Sequence, residues 1–188
     1  MLTYDQLYHP PDVEEAYQTW KANCGPGALA AVLQRPVMSL RARLAGFERR
    51  GFCNPSHLLR VLDGLDARII THNAAQIAHA IETSVQPEQE PSIYGLLFLQ
   101  WTGPWCNPGI PVAAQYRYTH WVGTASTQDH GQMYYDINAW FEDEQRGAWV
   151  PKSWWEHEIL PAITCTIKRA DGGYYVRTAL EVPHAPLP

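Results

Sequence analysis

Along the first 85 or so residues apolar positions recur with helical spacing, whereas from about residue 92 they alternate or run continuously, as they do in strands. Asp12 followed by Glu15 has the form of a capping box and predicts a short first helix. Cys24 to Gln34 predicts a second, with Pro26 in its first turn, where a missing N–H costs nothing. This segment is Ala-rich and apolar nearly all round, so it suits a helix buried at the centre of a domain. Ser39 to Arg50, stopped by Gly51, predicts a third helix. Ser56 to Leu65, with Leu58, Leu59, Val61, Leu62 and Leu65 on one face, predicts a fourth. Ala67 to Thr71 suits a short strand, after which Asn73 caps a helix carrying Ile77 and Ile81.

Beyond the hydrophilic stretch Gln86 to Pro91 the pattern predicts strands at Ile93 to Trp101, Arg117 to Ala125, Gln132 to Asn138, Thr164 to Arg169 and Tyr174 to Val182. The last two are joined by the turn residues Asp171-Gly172-Gly173. One more helix, Ser153 to Leu160, is expected before them, opened by Ser153 and Glu156. Helices followed by strands describe an α+β protein: a helical part over about 1–85 with one buried central helix, packed on an antiparallel sheet from about 92–182. At 188 residues one domain, 1–188, is the expectation.

Composition narrows the function classes. Eight Trp, ten Tyr and four Phe are too many for a disordered chain, and their burial can fill a sizeable core. A net charge of −5 and the absence of a Lys/Arg run argue against nucleic acid as a partner. The apolar runs Ala28 to Leu33 and Ile93 to Leu99 are far shorter than the roughly 18 residues that span a bilayer, so no membrane partner is expected. The start MLTYDQLYHPPD has neither the cationic end nor the apolar stretch of a secretory signal. With four widely spaced cysteines, a reducing compartment is expected, either the cytoplasm or a destination reached by a signal-independent route.

Candidate chemistry concentrates at Cys24, which falls in the first turn of the expected central helix. Free N–H groups and the helix dipole there favour a thiolate, the nucleophilic form of cysteine, and also an oxyanion. Gln18, six residues upstream, is placed to offer a side-chain amide to that oxyanion. A nucleophilic thiol needs a base, and the base needs an orienting partner. In Tyr118-Thr-His120-Trp121-Val the histidine and Trp121 face opposite sides of a strand. In Tyr134-Tyr-Asp136-Ile-Asn138 the two polar side chains share a face, and either can orient an imidazole on a neighbouring strand.

Gln18, Asn-Cys24-Gly-Pro at a helix start, His120-Trp-Val-Gly on a strand, Tyr-Asp136 on the next and a Trp-bearing helix after it resemble the papain-like cysteine peptidases. Within them the pattern, running from about Gln18 to Glu158, is most similar to the small bacterial C39-like branch that processes double-glycine leaders. That branch commonly has Asp before the cysteine and Asp-Pro at the orienter, where this chain has Asn23 and Asp136-Ile137. The resemblance implies a papain-like fold with Cys24 as nucleophile, His120 as general base and acid, Asp136 as orienter and Gln18 as oxyanion donor. It implies a peptide or protein substrate cleaved through a Cys24 thioester, with no cofactor. A deamidase or transglutaminase-type acyltransferase would use the same thioester, and an inactive peptide-binding module would use only the cleft.

Trp105 and Trp140, in expected loops flanking the site, together with Trp121 and Asn138, are the candidate substrate-binding residues. Cys106 sits in a turn-rich loop, Cys53 and His57 stand four apart and His72 and His79 seven apart, and none of these matches the tight spacing of a zinc site. Cys165 is expected in a strand as core, and Glu142-Asp-Glu144 as a solvated loop.

Overall fold

The computed structural model describes residues 2–72, 94–107, 109–111, 118–140 and 145–183. Helix α1 spans Val13–Trp20, α2 Cys24–Val32, α3 Phe47–Arg50 and α4 Pro55–Val61. Strand β1 is Arg68–His72, β2 Tyr94–Trp101, β3 Thr119–Thr127, β4 Gly131–Trp140, β5 Arg146–Pro151 and β6 Tyr174–Glu181. Helix α5 lies between β5 and β6. It begins as an α-turn at Lys152–Trp154, widens to a π-helix over Trp155–Ile159 and closes as α-helix at Leu160–Thr164. All six strands form one antiparallel sheet in the order β1-β6-β2-β3-β4-β5.

Strand alternation gives this sheet two apolar faces. Leu96, Phe98, Trp121, Tyr135 and Ile137 point into a core shared with Ala16 and Trp20 of α1, Ala28 and Leu29 of α2, Phe47 of α3 and Leu58 of α4. Leu97, Leu99, Trp101, Val122 and Tyr134 point the other way, onto Trp155, Ile159 and Leu160 of α5. The architecture is therefore helices, sheet, helix. As expected, α2 is the central helix, with every residue from Gly25 to Val32 buried. It can lie close on β3 because Gly123 has no side chain: a Cβ there would come within 3.1 Å of Val32 Cγ2 and 3.2 Å of Tyr135 Cβ.

Several expected elements differ in the structure, each for a local reason. Asp12 does not cap α1 with its side chain; its carboxylate accepts from the Val37 and Met38 N–H groups, both at 2.8 Å, and so ties the chain after α2 to the start of α1. The third helix is broken into a 3₁₀ turn at Val37–Leu40 and the short α3, because Gly46 between them takes a left-handed conformation, φ 82°. Thr164 to Arg169 is not a strand but the end of α5 and the turns after it, so Asp171-Gly172-Gly173 does not close a hairpin and Cys165 is exposed rather than core. Ser153 makes no cap hydrogen bond at the start of α5, whose flanking residue is Pro151. Strand β5 had no expectation. The helix expected after Asn73, the Gln86 to Pro91 stretch and the Glu142 to Glu144 loop lie outside the described residues.

Candidate active site

The site is built where the sheet parts. The β3–β4 ladder runs from Thr127↔Gly131 to Gly123↔Tyr135 and stops there. Beyond it His120 and Trp121 stay paired to Leu99 and Phe98 of β2, while Asp136 stays paired to Ala148 of β5, so the two strands diverge. Helix α2 packs against both strands, with Ile137 of β4 against Gly27 and Trp121 of β3 against Gly25. His120 and Asp136 belong to the α5 face of the sheet and Cys24 to the opposite core. The fork lets the first turn of α2 reach them.

His120 Nε2 lies 2.9 Å from Asp136 Oδ2. That leaves Nδ1 for the side of Cys24, whose charge acts on the imidazole, while the Cys24 thiol donates to Asn23 Oδ1 at 3.9 Å. The Asp136 carboxylate is completely buried, and each of its oxygens is occupied. Oδ2 also accepts from Trp155 Nε1 at 2.7 Å, and Oδ1 accepts from the Asn138 backbone N–H at 2.8 Å and from Asn138 Nδ2 at 3.0 Å. Trp101 meets the imidazole edge to face at 5.8 Å. Fixed by these contacts, the His120 imidazole has little rotational freedom.

The electrostatics make an ion pair. Burial alone would raise the Cys24 thiol, but the charge and hydrogen bond of His120, joined by a hydrogen bond from the Trp121 backbone N–H, outweigh it and bring the thiol below its ordinary value; Asp136 opposes them. Burial likewise lowers His120, and the charges of Asp136 and Cys24 with their hydrogen bonds override it and raise the imidazole well above its ordinary value. Asp136, which burial would raise, is held low chiefly by His120. All three shifts run toward the charged forms, thiolate, imidazolium and carboxylate. By contrast, burial raises the thiols of Cys53 and Cys106. Cys24 retains partial exposure.

Asn23 precedes the helix in an extended conformation, and its amide does not cap α2 but donates to the Gly51 carbonyl at 2.8 Å. The Cys24 N–H consequently has no protein partner among the described residues and remains an available donor beside the sulfur.

Of the eight candidate residues, the structure brings Cys24, His120 and Asp136 into one constellation. Asn138 joins it through Asp136, to which its backbone N–H and side-chain amide donate, and not as the orienter of the imidazole. Gln18 does not join it: the residue lies on the exposed side of α1 and its amide donates to Glu14 Oε1 at 2.7 Å, so this arrangement provides no side-chain oxyanion donor from position 18. Helix α1 continues to Trp20, and its i, i+4 geometry favours that Gln–Glu pair over a reach toward Cys24. Trp121 is buried, not a cleft wall. Its indole donates to the Cys53 carbonyl at 2.8 Å and its ring lies on Phe98. Trp140 is 63% exposed and lines a separate cavity of about 380 Å³ with Tyr4, His130, Trp149 and Trp154. Trp105 is partly exposed, pinned through its indole to the Trp101 carbonyl at 2.8 Å, and its ring lies 4.6 Å from that of Tyr118, two residues before His120.

Two participants escaped sequence reasoning. Trp155 is a core tryptophan by every sequence criterion, and only the π-turn of α5 shows why its indole points at Asp136. Cys53 is separated from Cys24 by 28 residues, yet it packs so closely on Gly25 that a Cβ there would come within 3.0 Å of the Cys53 Cβ. Among the described residues no group of three or more His, Cys, Asp or Glu side chains is arranged to hold a metal. Compared with protein-family models, with curated proteins and with solved structures, the chain matches none.

Proposed function

We propose that this chain is a papain-like thiol hydrolase that cleaves a peptide bond through a thioester on Cys24. The observation carrying the reading is a buried, hydrogen-bonded His120–Asp136 pair beside a thiol at the first turn of a buried helix. In the first step the Cys24 sulfur attacks the carbonyl carbon and the C–S bond forms. The Cys24 N–H receives the developing oxyanion. As the C–N bond breaks, His120 passes its Nδ1 proton to the departing amine. Water then attacks the thioester while the neutral His120 takes its proton, and the acid leaves Cys24 as thiolate. Asp136 supports the imidazolium throughout, and Asn138 and Trp155 keep Asp136 in place. Trp105 and Tyr118, beside the start of β3, form the aromatic edge against which a peptide would lie.

Thiol labelling tests the reading directly. At pH 6 iodoacetamide should modify Cys24 at least tenfold faster than Cys165, the other thiol that is open to solvent. Equal rates would remove the activated nucleophile and with it the proposal. Incubation with a peptide library should then give paired fragments by mass spectrometry, and Cys24→Ala should abolish them.

A further inference from the structure

On the helical side of the molecule, Arg43, Arg49, Arg50 and Arg60 line a pocket with Ala45, Gly46 and His57. Its volume is about 240 Å³, below the roughly 300–1,000 Å³ usual for drug-sized ligands and suited to something compact. Among the described residues no carboxylate lines it. Glu48, next in the chain to Arg49, is turned away to Arg41 at 2.7 Å. None of the four arginines forms an ion pair among the described residues, and guanidinium groups stay charged at any physiological pH.

A chain of net charge −5 has thus gathered four of its fourteen Lys and Arg side chains round one concavity without counter-charges among the described residues. At its floor, His57 is only 4% exposed, with Arg50 Nη2 2.9 Å from its Nδ1. Burial, then Arg50 and Arg60, hold this imidazole below its ordinary value, so it is neutral and the positive charge of the pocket resides in the guanidinium forks. Forks of this kind recognise phosphate oxygens in pairs, and several converging on a small volume favour closely spaced anionic groups over a single one.

We propose that this pocket is a binding site for a compact polyphosphate, independent of the thiol chemistry. The test is calorimetry on the full chain with inorganic tripolyphosphate. Saturable binding of one equivalent is expected, weakened at least tenfold by Arg49→Gln with Arg60→Gln and left within about twofold by Lys168→Gln, an equal change of charge per site outside the pocket. Arg49 and Arg60 are exposed, so the double variant should melt like the parent without ligand, and that melting point confirms that lost binding is not lost fold. Bound tripolyphosphate should also raise the His57 titration followed by NMR. Absence of saturable binding, sulfate binding as tightly as tripolyphosphate, or equal weakening by Lys168→Gln would overturn the proposal. Binding of ATP but not of tripolyphosphate would overturn it too, because the base and not the phosphate chain would then be what is read.

Discussion

Asp136 is the residue on which most of the site converges, since it accepts from an imidazole, an indole, an amide side chain and a backbone N–H. Its replacement by Asn keeps the shape and removes the charge that supports the imidazolium. Asp136→Asn should therefore lower kcat/KM by about 10²–10⁴-fold and move the alkaline limb of the pH profile downward, as His120 returns toward about 6.5. Asn138→Ala, which strips one of the bonds to Asp136 Oδ1 and leaves the backbone one, should cost only a few-fold. Gln18→Ala should change the rate of peptide cleavage by less than about threefold, because its amide is engaged with Glu14. A loss of about tenfold or more in kcat would show that Gln18 leaves Glu14 for the oxyanion. The pH dependence of stability follows from the same shifts. Asp136 is depressed, so its contribution is complete above its ordinary value of about 3.9 and is lost as pH falls through the folded value. His120 is raised, so its contribution is complete below about 6.5 and is lost as pH rises through the folded value. The difference in Tm between the parent and Asp136→Asn should accordingly be largest between about pH 4 and 6.5.

At the scale of elements the decisive contact is that of α2 with the loop carrying Cys53. A methyl group on Gly25 would press on both Cβ and Sγ of Cys53, at 3.0 and 3.1 Å, in a buried place where neither neighbour has room to move. Gly25→Ala should lower the Tm and slow Cys24 alkylation together. Gly27→Ala, whose Cβ meets Ile137 Cδ1 at an ordinary 3.4 Å, should leave alkylation intact and raise stability by up to about 1 kcal/mol through helix propensity. These contacts mark the limit of what the chain's pattern conveys. The buried α2, the cysteine in its first turn, and strands β2, β3, β4 and β6 were legible because apolar periodicity and the Asn-Cys-Gly-Pro start are local signals. The Thr164 to Arg169 segment was not: its alternation of Thr, Ile and charged residues imitates a strand, while the decision was made by packing of Leu160 and Ile163 in the continuation of α5. Gln18 was misplaced because spacing along a chain says how far a side chain is from Cys24 in residues, not which way α1 turns it.

Considered whole, the described residues form two large cores with one sheet between them, and β2 and β3 contribute side chains to both. Loss of either core exposes a face of those strands, so urea unfolding should give one coincident transition by tryptophan fluorescence and far-ultraviolet circular dichroism. The exception to this continuity is the fork beyond Gly123 and Tyr135, where no backbone ladder joins β3 to β4. What spans the opening is side chains: His120 of β3 reaches Asp136 of β4, with the Cys24 thiol beside them, acted on by His120 and the Trp121 N–H. On the proposed function, the nucleophile is thus also a fastener. Ligands that occupy a native site ordinarily stabilise a protein, but a reagent that caps Cys24 removes the sulfur's attraction for the His120 imidazole and loosens the seam. Alkylation should therefore make this chain melt earlier, and the shift should disappear in Cys24→Ala, which has no clasp to lose.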